Sequence, residues 1–136
     1  MTAIIIGISS SLLLILIFAF LKQFEKSIIY GLTLSAIGFL YVGFTWSNFS
    51  ELILTAIQAL IFLMIAYYGI KKNILFLAIG FFAHGLWDIA YTHFYASTLI
   101  PPNYDLFCLT FDFIVGIYLV VLAQKKKKQN LNSINL

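Results

Sequence analysis

A histidine and an aspartate stand one helical turn apart inside a long apolar run, in the stretch GFFAHGLWDIAYTH over residues 80–93. Residues of these types can hold a metal, exchange protons or hydrogen-bond to each other, and the i,i+4 spacing puts His84 and Asp88 on one helix face. The chain has only five acidic residues and two histidines, and three of these seven lie between positions 84 and 93. This concentration of ionisable groups in an apolar segment indicates a polar site in a hydrophobic environment.

Composition places the chain among membrane proteins. Hydrophobic residues make up 62% of it, aromatic residues 18% and charged residues 10%, whereas soluble domains carry about a quarter charged residues. The net charge of +3 does not indicate nucleic-acid binding, because every basic residue is a lysine in one of three short clusters. The single cysteine, Cys108, cannot form a disulfide within one chain.

Five apolar segments are predicted to be transmembrane helices. They cover approximately residues 3–21, 28–46, 51–70, 74–96 and 104–124. Each is close to the roughly 20 residues that a helix needs to cross about 30 Å of hydrocarbon. The first segment is interpreted as a permanent span, because no lysine precedes it and no small-residue cleavage site follows it. The predicted fold class is all-α integral membrane, a five-helix transmembrane bundle with a single domain over residues 1–124.

The lysines predict the orientation of this bundle. With five spans, the loops after the first and third helices and the C-terminal tail lie on the same side. All eight lysines are in these segments: Lys22, Lys26, Lys71, Lys72 and Lys125–Lys128. The positive-inside rule then places the N-terminus outside and the lysine-rich tail, residues 125–136, in the cytoplasm. We expect a multi-pass protein of the inner cell membrane, with membrane lipid as a partner.

Helix geometry brings a second aspartate to the depth of the first. At about 1.5 Å per residue, His84 lies roughly 15 Å into the fourth helix, with Asp88 one turn further out. The fifth helix returns from Tyr104 and carries Asp112 about 12 Å below its outer end. Because a short connection makes the two helices antiparallel neighbours, we expect these residues to form one buried group that opens toward the outer face. We call His84, Asp88 and Asp112 the His/Asp cluster.

Three more residues of the fourth and fifth helices are candidates to line this cluster. Tyr91 continues the helix face of the histidine, and Trp87 lies deep enough to form a pocket wall. Cys108 is one turn before Asp112 and could act as a nucleophile, although buried cysteines are most often small hydrophobes.

The second and third helices contribute further candidates. Glu51 opens the third helix, where an acidic residue is favourable, and Ser50 is a candidate N-cap. Gln58, an amide inside the same helix, is placed to reach the cluster or another helix.

Trp46, Tyr95 and Tyr104 are typical of an aromatic belt at the outer membrane interface.

The fourth and fifth helices together carry the motif His84-x-x-Trp87-Asp88, a proline-bearing loop, and Cys108-x-x-x-Asp112. This motif resembles a family of small bacterial integral membrane proteins of unknown function. The likeness is best over residues 74–118 and weaker through SAIGFLYVGF and around Glu51. The resemblance implies a membrane protein with a shared polar site and supplies no activity.

Two positions depart from the pattern that this resemblance implies. The family has one or two histidines three or four residues after the aspartate, where this chain has Tyr91 and Thr92, with His93 one step later. A second cysteine often precedes the last aspartate in the family, whereas Phe111 stands here. Both departures weaken a strict metal-ligand assignment.

Several functions stay open from the sequence. An intramembrane enzyme would use the His/Asp cluster and Cys108 as catalytic residues, with its substrate against Trp87, Tyr91, Glu51 and Gln58. The same cluster could serve an ion- or proton-coupled carrier, or ligate a divalent metal. A purely structural cluster would gain only about 0.6 kcal/mol per membrane hydrogen bond. A lipid-soluble small molecule and a second copy of the chain are both compatible partners.

Overall fold

The computed structural model describes residues 1–21 and 23–134, which form five α-helices. They are α1 (Thr2–Phe20), α2 (Lys26–Thr45), α3 (Phe49–Lys71), α4 (Ile74–Tyr95) and α5 (Tyr104–Ile134). Each helix is long and apolar enough to cross a membrane, and the described residues form no strand. The predicted fold class, an all-α bundle of five membrane-length helices, is confirmed.

Asparagine residues set the beginnings of α3 and α4. The side-chain oxygen of Asn48 accepts hydrogen bonds from the backbone N–H groups of Ser50 and Glu51. Asn73 accepts one from the backbone N–H of Leu75 at the start of α4. The expectation that Ser50 caps α3 is wrong, because the helix begins one residue earlier and Ser50 already lies within it.

The described lysines gather at one end of the bundle. Two adjoining grooves there are lined by Lys26, Lys71, Lys72 and Lys125–Lys127. α5 passes residue 124, the predicted end of its span, and stays helical through the lysine run to Ile134. Lys22, Asn135 and Leu136 of the predicted cytoplasmic segments lie outside the described residues. We call the end of the bundle that carries the described lysines the lysine end. The opposite end, formed by residues 46–48 and 96–103, is called the far end.

α4 occupies the centre of the bundle. It packs against α2, α3 and α5, and its buried positions recur along most of its length. The apolar core lies between these helices and includes Leu34, Phe62, Phe81, Val115 and Leu119. A polar residue on the inner face of α4 therefore has protein, and not lipid, around it.

α1 is a peripheral helix that touches α5 through small residues. Gly7 and Ser11 are the buried positions of α1. A Cβ atom on Gly7 would lie 2.8 Å from the backbone oxygen of Phe107 and 3.1 Å from Thr110 Cβ. The contact between the two helices therefore depends on the missing side chain at position 7.

The Gly7→Ala substitution is expected to destabilise the bundle, by about 1–3 kcal/mol, because the added methyl group meets a backbone atom that cannot rotate away. Gly43→Ala is the matched control, since a Cβ atom there has no neighbour within 4 Å among the described residues. It should be neutral or gain up to about 1 kcal/mol from the better helix propensity of alanine. Thermal unfolding in detergent measures both, and equal midpoints for the two variants would contradict the packing of α1.

Candidate functional site

His84 and Asp88 of α4 meet Asp112 of α5 in the interior of the bundle. The Nδ1 atom of His84 lies 2.8 Å from Oδ2 of Asp112 and 3.4 Å from Oδ2 of Asp88. One potential ligand atom from each residue lies within 4.8 Å of the others, and all three residues are 0% exposed. The structure therefore brings the three members of the predicted cluster into one group.

The local sequence explains how α5 comes this close to α4. A Cβ atom on Gly85 would lie 3.3 Å from Asp112 Cβ and 3.3 Å from Leu109 Cα. The glycine next to His84 thus removes the side chain that would hold the two backbones apart. Asp112 can then reach the imidazole ring across the helix interface, while Asp88 reaches it along α4 from the next turn.

The hydrogen bond to Asp112 fixes the roles of the two imidazole nitrogens. Where Asp112 is ionised, Nδ1–H donates to its carboxylate across the 2.8 Å contact, and a neutral ring then keeps its lone pair on Nε2. Nε2 is buried and has no hydrogen-bond partner within the described parts of the chain. The same holds for both carboxyl oxygens of Asp88 and for Oδ1 of Asp112. The cluster therefore presents a free basic nitrogen beside carboxyl oxygens that are not yet paired.

Charge balance gives the cluster a capacity for protons. An imidazolium ion with two carboxylates has a net charge of −1, and one further proton makes the group neutral. The described lysines lie at the opposite end of the bundle and supply no local counter-charge. Since a net charge is costly inside an apolar bundle, the group favours forms in which protons are shared among its members.

Aromatic side chains enclose the cluster. The ring of Phe62 packs edge-on against His84 with centroids 4.8 Å apart, and Tyr41 lies at 6.4 Å. Tyr104 packs against Tyr41 at 5.9 Å toward the far end. The expected opening toward the outer face is not present in this structure, because the three cluster residues have no exposed surface.

Tyr91 and Glu51 form a second polar group nearer the far end. The Tyr91 hydroxyl donates to Oε2 of Glu51 at 2.6 Å, and Asn48 Nδ2 donates to Oε1 at 2.9 Å. The ring of Tyr91 lies 5.2 Å from that of Tyr41. These two predicted site residues therefore connect α4 to the beginning of α3. The ring of Tyr41 lies between them and the His/Asp cluster, so the Glu51 carboxylate is not part of that cluster.

The other predicted site residues lie beside the cluster. Cys108 is buried and lies one helical turn before Asp112 on α5. Trp87 and Gln58 line a groove between α3 and α4. The indole nitrogen of Trp87 and both amide atoms of Gln58 are buried without a hydrogen-bond partner among the residues that the structure describes.

Sequence reasoning missed three aromatic residues of the site: Tyr41, Phe62 and Tyr104. Tyr104 was expected in the aromatic belt, but its hydroxyl is buried beside Cys108. Tyr41 packs against the His84 ring with centroids 6.4 Å apart, and it lies in the SAIGFLYVGF stretch that the family resemblance included. A tyrosine hydroxyl in the middle of an apolar helix was the signal that could have identified Tyr41.

The fold and the site define an all-helical protein of five helices, each long and apolar enough to cross a membrane, with a buried imidazole–carboxylate group. The chain belongs to the family of unknown function DUF6010, whose sequence model matches residues 2–125. The matched region contains the whole His/Asp cluster, and the expected membership in a family of unknown function is confirmed. No curated protein and no solved structure shows a significant match to the chain.

Replacement of Tyr91 by phenylalanine should destabilise the protein by about 1–2 kcal/mol, because the change removes a hydrogen bond to a carboxylate. Tyr95→Phe is the matched control: its ring stacks on Tyr91 at 5.1 Å, but the residue is 52% exposed. The control should stay within about 0.5 kcal/mol of the wild type. Unfolding by heat or denaturant in detergent gives both values, and a Tyr91→Phe variant as stable as the control would contradict this tie between α3 and α4.

Proposed function

We propose that the protein is an intramembrane enzyme in which the His/Asp cluster is a general acid–base centre for a lipid-soluble substrate. The observation that supports this most is the 2.8 Å hydrogen bond from His84 Nδ1 to Asp112 Oδ2, with Nε2 left unpartnered. In serine hydrolases a buried carboxylate orients an imidazole in this way, so that the other nitrogen can accept a proton. Asp88 is a second carboxyl group in the cluster that can accept or donate a proton.

The reaction class that fits these groups is proton removal and return. Nε2 of His84 accepts a proton from the substrate, and the Asp112 carboxylate stabilises the imidazolium that forms. The proton returns to another atom of the substrate, from Nε2 or from the carboxyl group of Asp88. Such an isomerisation changes no oxidation state and needs no co-reactant. The enclosed site supports it, because charge interactions are strong where water is excluded.

The location of the cluster supports a substrate that is dissolved in the membrane. The cluster residues have no exposed surface, and the helices around them are apolar enough to face lipid. In this proposal the lysine end faces the cytoplasm and the protein lies in the inner cell membrane. The gathering of the described lysines at one end supports that orientation.

A divalent metal ion bound by the cluster is the second candidate, because three donor atoms of types that bind zinc or iron lie within 4.8 Å of one another. With bonds of roughly 2.0–2.2 Å, ligand atoms around a tetrahedral zinc stand about 3.3–3.6 Å apart. The 3.4 Å separation of His84 and Asp88 fits this spacing. The 2.8 Å separation of His84 and Asp112 is a hydrogen-bond distance and would have to lengthen. Cys108, one helical turn before Asp112 on α5, is a candidate for a fourth ligand.

Deuterium transfer from water tests the acid–base function even though the substrate is unidentified. The purified protein is placed in vesicles made from the lipid extract of the cells that produce it, in heavy water. We expect a lipid-soluble species to gain deuterium by mass spectrometry, because His84 and the Asp88 carboxyl group exchange their protons with heavy water whenever the site opens for substrate entry or product release. His84→Ala and Asp112→Asn should slow this exchange by roughly 100- to 10,000-fold.

The matched control for this experiment is His93→Ala. His93 is exposed and lies outside the cluster, so this variant should exchange at the wild-type rate. Circular dichroism establishes that each variant is folded. If the folded wild type produces no more labelled lipid than empty vesicles, the acid–base function is wrong.

Elemental analysis separates the two candidates. Since the His84–Asp112 distance favours a hydrogen bond, we expect the purified wild-type protein to hold well under one equivalent of zinc or iron after dialysis. His84→Ala and Asp112→Asn should then contain no less metal than the wild type. A near-stoichiometric metal that is lost in both variants, but retained in His93→Ala, would show that the cluster is a metal centre and not an acid–base centre.

A further inference from the structure

A groove of about 570 Å³ lies between α3 and α4 on the outside of the bundle. Its walls are almost entirely apolar and include Ile57, Ile61 and Leu86, each more than half exposed. In a membrane these side chains would face the acyl chains. The shape and lining of the groove therefore suit an apolar molecule that enters from the lipid.

Two residues that line the groove carry buried polar atoms without a hydrogen-bond partner among the described residues. Gln58 lines the groove and is 2% exposed, yet neither its Oε1 nor its Nε2 atom is hydrogen-bonded to any described residue. The buried Nε1–H of Trp87, which lines the same groove, is likewise unpaired. Lipid tails cannot satisfy such groups. A ligand that carries hydrogen-bonding atoms into the groove can.

We infer that this groove binds an apolar, uncharged lipid that carries a hydroxyl or carbonyl oxygen, and that Gln58 and Trp87 hold that oxygen. A hydroxyl group matches all the free atoms, because it can donate to Gln58 Oε1 and accept from Gln58 Nε2 or Trp87 Nε1. The groove lining contains no lysine or arginine to neutralise an anionic head group. A neutral long-chain or isoprenoid alcohol is the ligand class that these features favour.

The groove lies next to the His/Asp cluster. Phe62 lines the groove and also packs against the His84 ring at 4.8 Å. In the proposed function, a rotation of this one side chain exposes His84 to the groove. That the bound lipid is the substrate of His84 rests on the proposed acid–base function, whereas its binding in the groove does not.

Fluorescence quenching of Trp87 tests the binding directly. The chain has two tryptophans, and Trp46, at the far end, is 75% exposed. Trp46→Phe therefore leaves Trp87 as the sole reporter in the groove. The variant is reconstituted in phosphatidylcholine vesicles and titrated with a brominated long-chain alcohol. The matched probe is a brominated alkane of the same length, which lacks the oxygen.

We expect the alcohol to quench Trp87 along a saturating curve, and the alkane to quench it weakly and in proportion to its concentration. Adding Gln58→Leu should weaken the apparent affinity for the alcohol by roughly two- to tenfold, since it removes one or two hydrogen bonds. This variant is expected to fold, because leucine replaces an amide that has no partner. Trp87→Phe with Trp46 retained should show proportional quenching only.

Two results of the quenching titration would overturn the inference. One is proportional quenching by the alcohol and the alkane alike. The other is a saturating curve that Gln58→Leu leaves unchanged. A second copy of the chain over the groove would show itself as Trp87 fluorescence that varies with protein density in the vesicle, and it would overturn the inference as well.

The same titration in a His84→Ala background separates the two proposals. If saturating binding persists in this background and the wild type fails to transfer deuterium, the groove is a lipid-binding site and the proposed acid–base function is wrong. If the wild type transfers deuterium but the alcohol does not bind with a saturating curve, the acid–base function stands and the inferred ligand class of the groove is wrong.

Discussion

The burial of His84 against Asp112 is the constraint on which the rest of the structure depends. A carboxylate or an imidazole that faced hydrocarbon alone would be costly, so α4 and α5 must turn these two residues toward each other. Gly85 allows the approach, and Asp88 joins from the next turn of α4. The central place of α4 follows, because its inner face carries polar groups that only surrounding protein can enclose.

The cluster could be predicted from the sequence because its geometry is local to two helices and one connection. The spacing of His84 and Asp88 fixes a common helix face, and the rise per residue fixes the depth of Asp112 on the next helix. The membrane adds the deciding condition, since ionisable groups at matching depth on neighbouring helices have a strong reason to meet. The number of helices followed from segment lengths for a similar reason, because a bilayer has a fixed thickness.

The enclosure of the cluster could not be predicted in the same way. Tyr41 and Phe62 come from α2 and α3, which are apolar around most of their circumference, so their sequences do not show which face turns inward. The error at Tyr104 has the same origin, because a tyrosine at a helix end suits the membrane interface as well as a buried site. The cap of α3 was misassigned between two polar residues two positions apart, where only backbone geometry distinguishes them.

The distribution of unpaired polar atoms argues against a purely structural cluster. Apart from the Tyr30 hydroxyl, the buried side-chain atoms without a hydrogen-bond partner in the described chain all belong to the cluster, its aromatic neighbours or the α3–α4 groove. A cluster that served only to join helices would be selected for complete pairing, since each unpaired group weakens the packing that it is meant to stabilise. Here His84 Nδ1 and Asp112 Oδ2 are hydrogen-bonded to each other, whereas the other polar side-chain atoms of the cluster have no hydrogen-bond partner among the described residues. Such a pattern suits a site whose remaining partners are exchangeable: protons at the carboxyl groups and a lipid oxygen at Gln58 and Trp87.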